Sequence, residues 1–371
     1  MTRSHQGFTL VELLMVIMII GILAGVSITV TRQVYHTARV AKTNATLQKL
    51  DRVILEMYAE YENRRVPSPN FGSSPVAAQV TQAARLWFLR DMIRMEMPCN
   101  WEEVRTAPIS FRFQHDTNAP PTALVYVPPS PLRQLYEKAY EKAIYDLTKS
   151  VVDGGQGLSS IEAQRIVNRY ASAKCLFLIV MYGNPEAREL FFDSEIATDD
   201  DGLSYFVDGW GNPIYFLRWA PGLVLSERQP CVLGPNQNAH DWDSLDDKKA
   251  NASNERGDPL DPTEVGGIIK SYSYNSVNSR WEFEIDLTKE WPSTTQWPNT
   301  SPQRGWALLP VVMSSGGVRN DDGSFSGACF GMMLSPPGDV PAVDPFYWPL
   351  GAPDDVLPGN YAVIHNHSSR R

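Results

Sequence analysis

The first 66 residues contain no proline, and from Leu13 to Thr31 there is no charge of either sign. The missing proline leaves nothing to break a helix over that stretch. Cysteine is scarce. Cys99, Cys175, Cys231 and Cys329 are the four, and no two form a C-x-x-C pair, which argues against a zinc ribbon or a dithiol redox motif. If the chain is exported, an even count permits two disulfides in three pairings; buried free thiols are the alternative. There is no surplus of basic residues: 33 Lys and Arg face 42 Asp and Glu, for a net charge of −9. That balance argues against a nucleic-acid partner, which calls for a basic footprint. No H-E-x-x-H, G-x-S-x-G or Walker loop is present, so no enzyme is indicated. His365 and His367 fall near the C-terminus and read as surface residues rather than metal ligands.

Phe8 to Val30 (FTLVELLMVIMIIGILAGVSITV) is apolar but for Glu12 near its start, and Gly7 precedes it. As a helix it is about 34 Å long, enough to cross a hydrocarbon core of about 30 Å. A carboxylate in such a run is costly and marks a functional position. An ordinary secretory signal, cut near Ala24-Gly25, would not carry Glu12 within its apolar core. The helical pattern also continues. Leu47, Leu50, Ile54, Met57 and Tyr61 recur at intervals of three and four, the seam of an amphipathic helix. The spacing predicts one helix from Phe8 to Arg64, about 85 Å long, ended by the PSPN of residues 67–70.

The QG before the run and the FTLVE that opens it resemble the class III leader of type IV pilins and of the pseudopilins of type II secretion. The resemblance implies cleavage between Gly7 and Phe8 by a prepilin peptidase, with methylation of Phe8. Glu12 becomes the fifth mature residue, the assembly carboxylate that pairs with an N-terminal amine. Gly21, Ala24 and Gly25 offer small surfaces for close helix packing. The flanking charge is Arg3 on one side and Arg32, Arg39 and Lys42 on the other, so the orientation with the N-terminus inside comes from the resemblance rather than from charge.

Beyond the helix, 371 residues with 43% apolar and 20% charged suffice for one large or two modest domains. Residues 77–97, 131–149 and 159–182 read as helices, with Ser159 and Glu162 as a capping box. Strand patterns fall at 204–207, 213–219, 267–275, 280–287, 306–312 and 328–334. The polar segment 230–264 reads as a long loop. The expected division is a leader at 1–7, a membrane and polymerisation helix at 8–30, its amphipathic continuation at 31–65, a helical insertion at 66–190, a β-rich domain at 191–335 and a Pro-rich tail at 336–371.

Asp208-Gly209-Trp210-Gly211-Asn212-Pro213 resembles the D-x-W-G-x-P turn of the major pseudopilin. Its glycines supply backbone freedom, Trp210 is expected to cover the core edge, and Pro213 opens the next strand. That pseudopilin binds calcium in a comparable late loop. Here Ser314, Asn320, Asp321 and Asp322 are the candidate oxygen ligands, against the alternative of a plain polar hairpin. Asp199-Asp200-Asp201-Gly202 is a second acidic candidate. No cofactor is required, and calcium is possible.

The expected fold is α+β: a pilin-like long N-terminal helix packed on an antiparallel β-sheet, with an extra helical insertion. The expected function is structural, that of a prepilin or pseudopilin inserted once in the bacterial inner membrane and polymerised into a type II pseudopilus or type IV pilus-like filament. Its soluble domain lies outside the cytoplasm. The partners implied are copies of itself, other pilins or pseudopilins, the peptidase and an inner-membrane assembly platform. The alternative is a pilin-anchored cell-surface protein that binds a glycan or a protein.

Overall fold

The computed structural model describes residues 10–66, 71, 75–116, 118, 120–152, 158–218, 268–287, 310–314 and 364–365. The helices are α1 (Leu10–Glu60), α2 (Pro75–Glu96), α3 (Trp101–Arg105), α4 (Pro131–Val152), α5 (Ser160–Asn168) and α6 (Ala171–Gly183). The strands are β1 (Ser110–Gln114), β2 (Val125–Tyr126), β3 (Ile196–Thr198), β4 (Ser204–Phe206), β5 (Ile214–Leu217), β6 (Ile268–Asn275), β7 (Arg280–Asp286), β8 (Val311–Ser314) and β9 (Ile364–His365). The fold is mixed helix and sheet, in agreement with an α+β class.

Helix α1 has 51 residues, about 76 Å of helix. A 3-10 turn over Tyr61–Asn63 continues it, and Arg64 turns to an extended backbone. The α-helix therefore stops short of the predicted Arg64, because its last turn tightens ahead of the extended segment. Its two halves differ. From Leu10 to Arg39 every described side chain is exposed. From Thr43 on, a stripe of Thr43, Thr46, Leu47, Leu50, Val53, Ile54, Tyr58 and Tyr61 is buried, and α1 lies there against α6, β8 and β9. Met57 is half-buried.

Helix α2 is buried all round from Leu86 to Glu96. A helix in that position must pair its polar groups internally. Asp91 accepts from Arg94 Nε at 2.8 Å and from the Ile109 amide at 3.0 Å. Arg94 also donates to the carbonyls of Glu103 and Ala107. Glu96 accepts both guanidinium nitrogens of Arg64, at 2.6 and 2.8 Å, and the Tyr61 hydroxyl at 2.6 Å. These bonds clamp the end of α1 to α2. Burial and the adjacent Glu96 carboxylate both push the Tyr61 phenol upward, so it stays protonated and donates. Helix α5 begins with the predicted box: Ser159 accepts from the Glu162 amide, and Glu162 reaches back to Ser159.

The described strands form three sheets rather than the single sheet the pattern predicts. Their orders are β2-β1-β7-β6, β3-β4 and β5-β8-β9. All pairs are antiparallel except β1 with β7, which run parallel with Phe111 opposite Phe283. Strand β1 comes from the segment that reads as purely helical. It takes the place beside the β6–β7 hairpin because Phe111 and Phe113 project into the same core as Phe283 and Ile285. Trp87 and Phe88 of α2 meet Phe111 there, with ring centres 5.7 and 5.9 Å apart. One apolar cluster thus joins residues of α1, α2, β1, α6, β5 and β7. Strand β8 begins near the end of the predicted 306–312, β9 occupies part of the expected tail, and 328–334 lies outside the described residues.

Candidate functional site

Two features of α1 define the site: a bare apolar half, and a polar seat just beyond it. Leu10, Ile20 and Val34 are 79%, 58% and 61% exposed. Ala24 is exposed, and at Gly21 and Gly25 a Cβ would meet no atom within 4 Å. The small-residue face is therefore open among the described residues. Gly7 and Phe8 lie outside the described residues; Glu12 is in the helix, but its side chain also lies outside them. Among the described residues no helix is long and apolar enough to cross a membrane.

The seat is where the 208–213 turn docks on α1. Within the turn, Asp208 Oδ1 accepts from the amides of Trp210 and Asn212, both at 2.8 Å. The Asp208 amide donates to the Asn212 carbonyl, and the Gly211 amide to that of Asp208. Gly211 has φ +85°, which a residue with a Cβ adopts at a cost. The turn is then tied outward on two sides. Ser314 Oγ of β8 donates to Asp208 Oδ2 at 2.6 Å. Thr43 Oγ1 of α1 accepts from the Gly209 amide at 2.9 Å while donating to the Arg39 carbonyl. The approach is close: a Cβ on Gly209 would stand 2.3 Å from the Arg39 carbonyl oxygen. The Trp210 and His36 rings meet in a T-shaped arrangement, with centres 5.7 Å apart. Pro213 is buried beside β5.

Burial raises the Asp208 carboxyl above its ordinary value, although the donors from Ser314 and the turn amides pull the other way. The folded chain therefore holds this proton more tightly than the unfolded one. The resulting stability is fully present below the ordinary carboxylate range and is lost as pH rises through the raised value. Asp208→Ala is expected to cost about 3 kcal/mol, because buried donors lose their acceptor. Asp208→Asn should cost under about 1 kcal/mol, since its oxygen still accepts from both amides and its NH2 can donate to Ser314. It should also remove the acid-side gain in unfolding free energy. Chemical denaturation across acidic and neutral pH checks both outcomes.

Lower on the same face, Glu195 accepts from Thr46 at 2.6 Å and from Lys49 at 2.8 and 3.0 Å. Burial pushes this carboxyl up, but those donors outweigh it and hold the group below its ordinary value. Its stabilisation is present at neutral pH and lost as pH falls through the lowered value, the reverse of Asp208.

Ser314, a candidate calcium ligand, has its hydroxyl committed to Asp208. Asn320, Asp321 and Asp322 lie outside the described residues. The acidic run at 199–201 is neutralised from within. Lys174 Nζ stands 2.9 Å from Asp199 and 2.5 Å from Asp201, and Arg169 pairs with both Asp199 and Asp200. Among the described residues no group of three or more His, Cys, Asp or Glu could hold a metal ion. Cys99 and Cys175 are free thiols. Burial pushes the Cys99 thiol up to about 12 and raises Cys175 well above its ordinary value, so both stay protonated. Cys231 and Cys329 lie outside the described residues.

Residues 2–28 match the family model described as the prokaryotic N-terminal methylation motif. The chain thus carries the leader signature of type IV pilins and pseudopilins, and that signature ends within α1. No curated protein and no solved structure matches the chain.

Sequence reasoning places the turn but not its seat. Thr43 lies one turn ahead of Leu47 on the buried stripe, and it becomes visible if a threonine is counted as able to extend that stripe. Nothing local to 208–213 points to Arg39, whose contribution is a backbone carbonyl.

Proposed function

We propose that the chain is a structural precursor, cleaved after Gly7, methylated on Phe8 and assembled into a pilus-like filament through the bare half of α1. The observation that carries this reading is the coincidence of the methylation motif with an apolar helix whose described side chains are exposed and find no cover among the described residues. In a membrane-held precursor, lipid covers Phe8 to Val30. In a filament, neighbouring helices do, approaching at Gly21, Ala24 and Gly25. Glu12 meets the amine of Phe8 on a neighbouring subunit, because a carboxylate in an apolar packing is tolerable when paired and costly when not. The D-G-W-G-N-P turn favours the pseudopilus of type II secretion over a surface pilus. No catalytic role is assigned.

The test uses cells that carry the assembly machinery. Gly7→Trp is expected to leave a full-length precursor, because the peptidase must accept the residue before the cut in a narrow site. Intact-mass analysis of the wild type should place the mature N-terminus at Phe8, and a start near Val26 would sink the reading. Glu12→Leu should be cleaved normally yet fall at least about tenfold in the sheared filament fraction, the equivalent of about 1.4 kcal/mol or more in docking. Glu12→Asp should lie between. Wild-type protein absent from that fraction would favour an anchored surface binder.

A further inference from the structure

Trp210 is half-buried and is not among the apolar side chains packed on the core. Its ring neighbour is His36, an exposed residue on the bare half of α1. The backing of the turn is rigid: the Gly209 amide is bonded to Thr43, and its Cα leaves no room for a side chain against Arg39. The height of the indole on the helix is therefore fixed.

That height is informative. His36 lies six residues past Val30, about 9 Å further along the helix axis. The headgroup zone is about 5–7 Å deep on each side. With the apolar run in hydrocarbon, the His36 backbone therefore stands just beyond it, and helical side chains at this level, which lean back toward the N-terminus, reach its outer edge. Every side chain from Gln33 to Arg39 is exposed, among them Val34, Tyr35, His36 and Arg39, with Tyr35 64% exposed. The nearby carboxylate, Asp208, is buried and held by Ser314 and the turn amides. Indole and phenol rings favour the headgroup zone, where the ring is half in apolar surroundings and its N–H or O–H reaches water. Arginine there meets anionic phosphate.

We propose that the 208–213 turn is a membrane-surface foot: Trp210, with Tyr35 and Arg39 near the same level of the helix, rests at the outer edge of the phospholipid headgroups while the subunit is held in the bilayer. The proposal rests on the reading of a membrane-held precursor. It assigns Trp210 a lipid contact and gives the close seat of Gly209 a purpose, which is to hold the indole at a set depth.

The experiment uses the full processed chain in phosphatidylethanolamine–phosphatidylglycerol vesicles. One vesicle set has lipids brominated near the carbonyl end of the acyl chain, and a second has lipids brominated near its terminus. Wild type is compared with Trp210→Phe, which keeps an aromatic edge for His36. The emission that disappears in the variant is expected to be quenched by the shallow bromines and spared by the deep ones. Quenching of that emission by aqueous iodide alone, in protein that floats with the vesicles after alkaline carbonate, would overturn the foot and leave the membrane reading standing. Protein that fails to float would overturn both.

Discussion

Gly209→Ala should lower the stability of the chain by about 3 kcal/mol, the order seen when atoms are forced into a closed contact. The added methyl would stand 2.3 Å from the Arg39 carbonyl oxygen and 2.8 Å from the Arg39 Cα. Both are helix backbone and cannot swing aside as a long side chain would. Either the turn lifts off α1 and loses the Gly209–Thr43 bond, or the helix shifts against α6 and β8. Gly211→Ala is the control. A methyl there would meet no atom within 4 Å, so its cost is that of a left-handed backbone alone, about 1 kcal/mol. Denaturant unfolding of the detergent-solubilised chain measures both. Equal losses for the two variants would show that the seat on α1 carries no strain of its own.

Glu103→Ala is expected to cost about 4 kcal/mol, the largest single loss foreseen here, because it strands a buried cation. Arg218 donates to Glu103 Oε1 at 2.7 Å and to Oε2 at 2.8 Å, and its side chain is 0% exposed. Burial opposes the charge on Arg218, yet Glu103 more than compensates and holds it protonated. Glu103 also accepts from the Cys99 amide at 2.6 Å, so α3, the segment after α2 and the end of β5 meet at one carboxylate. The double variant Glu103→Leu with Arg218→Met should lose less than Glu103→Ala alone, since an apolar pair of similar bulk leaves no charge unpaired. A double-mutant loss equal to the sum of its singles would mean that the two side chains do not act as a pair.

The parts of the fold legible in the sequence are those with a local signature. The seam from Leu47 to Tyr61 is buried except at Met57, which is half-buried. The Ser159 box starts α5, and the hairpin of β6 and β7 falls within a residue of its pattern. The parts that were not legible depend on distant partners. Ser110–Gln114 is a five-residue strand between helices, and nothing within it says that its neighbour is Arg280–Asp286. The burial of α2 was hidden for a related reason: it carries Arg90, Asp91, Arg94 and Glu96, yet each is at most 4% exposed, and Asp91, Arg94 and Glu96 find partners in other segments. At the site, Gly7, Phe8 and Glu12 were legible as a motif and Asp208 to Pro213 as a turn. Thr43 and the Arg39 carbonyl were not, because a backbone acceptor on a helix leaves no mark in the residue pattern.

The way α1 is fastened has a mechanical consequence. Its bare half protrudes, and its other half is tied at Thr43 to Gly209, at Thr46 and Lys49 to Glu195, and at Tyr61 and Arg64 to Glu96. These ties are spread over about 30 Å of axis. A pull on the protruding end runs parallel to them, so it loads them together, in shear, rather than peeling them open one after another. Thr43 stands nearest the pull, and Glu96, seated inside the core, farthest from it. A subunit gripped by its helix and drawn lengthwise would therefore bring its globular part along intact, whereas the same force applied sideways at Val34 would act as a crowbar on the seat at Gly209.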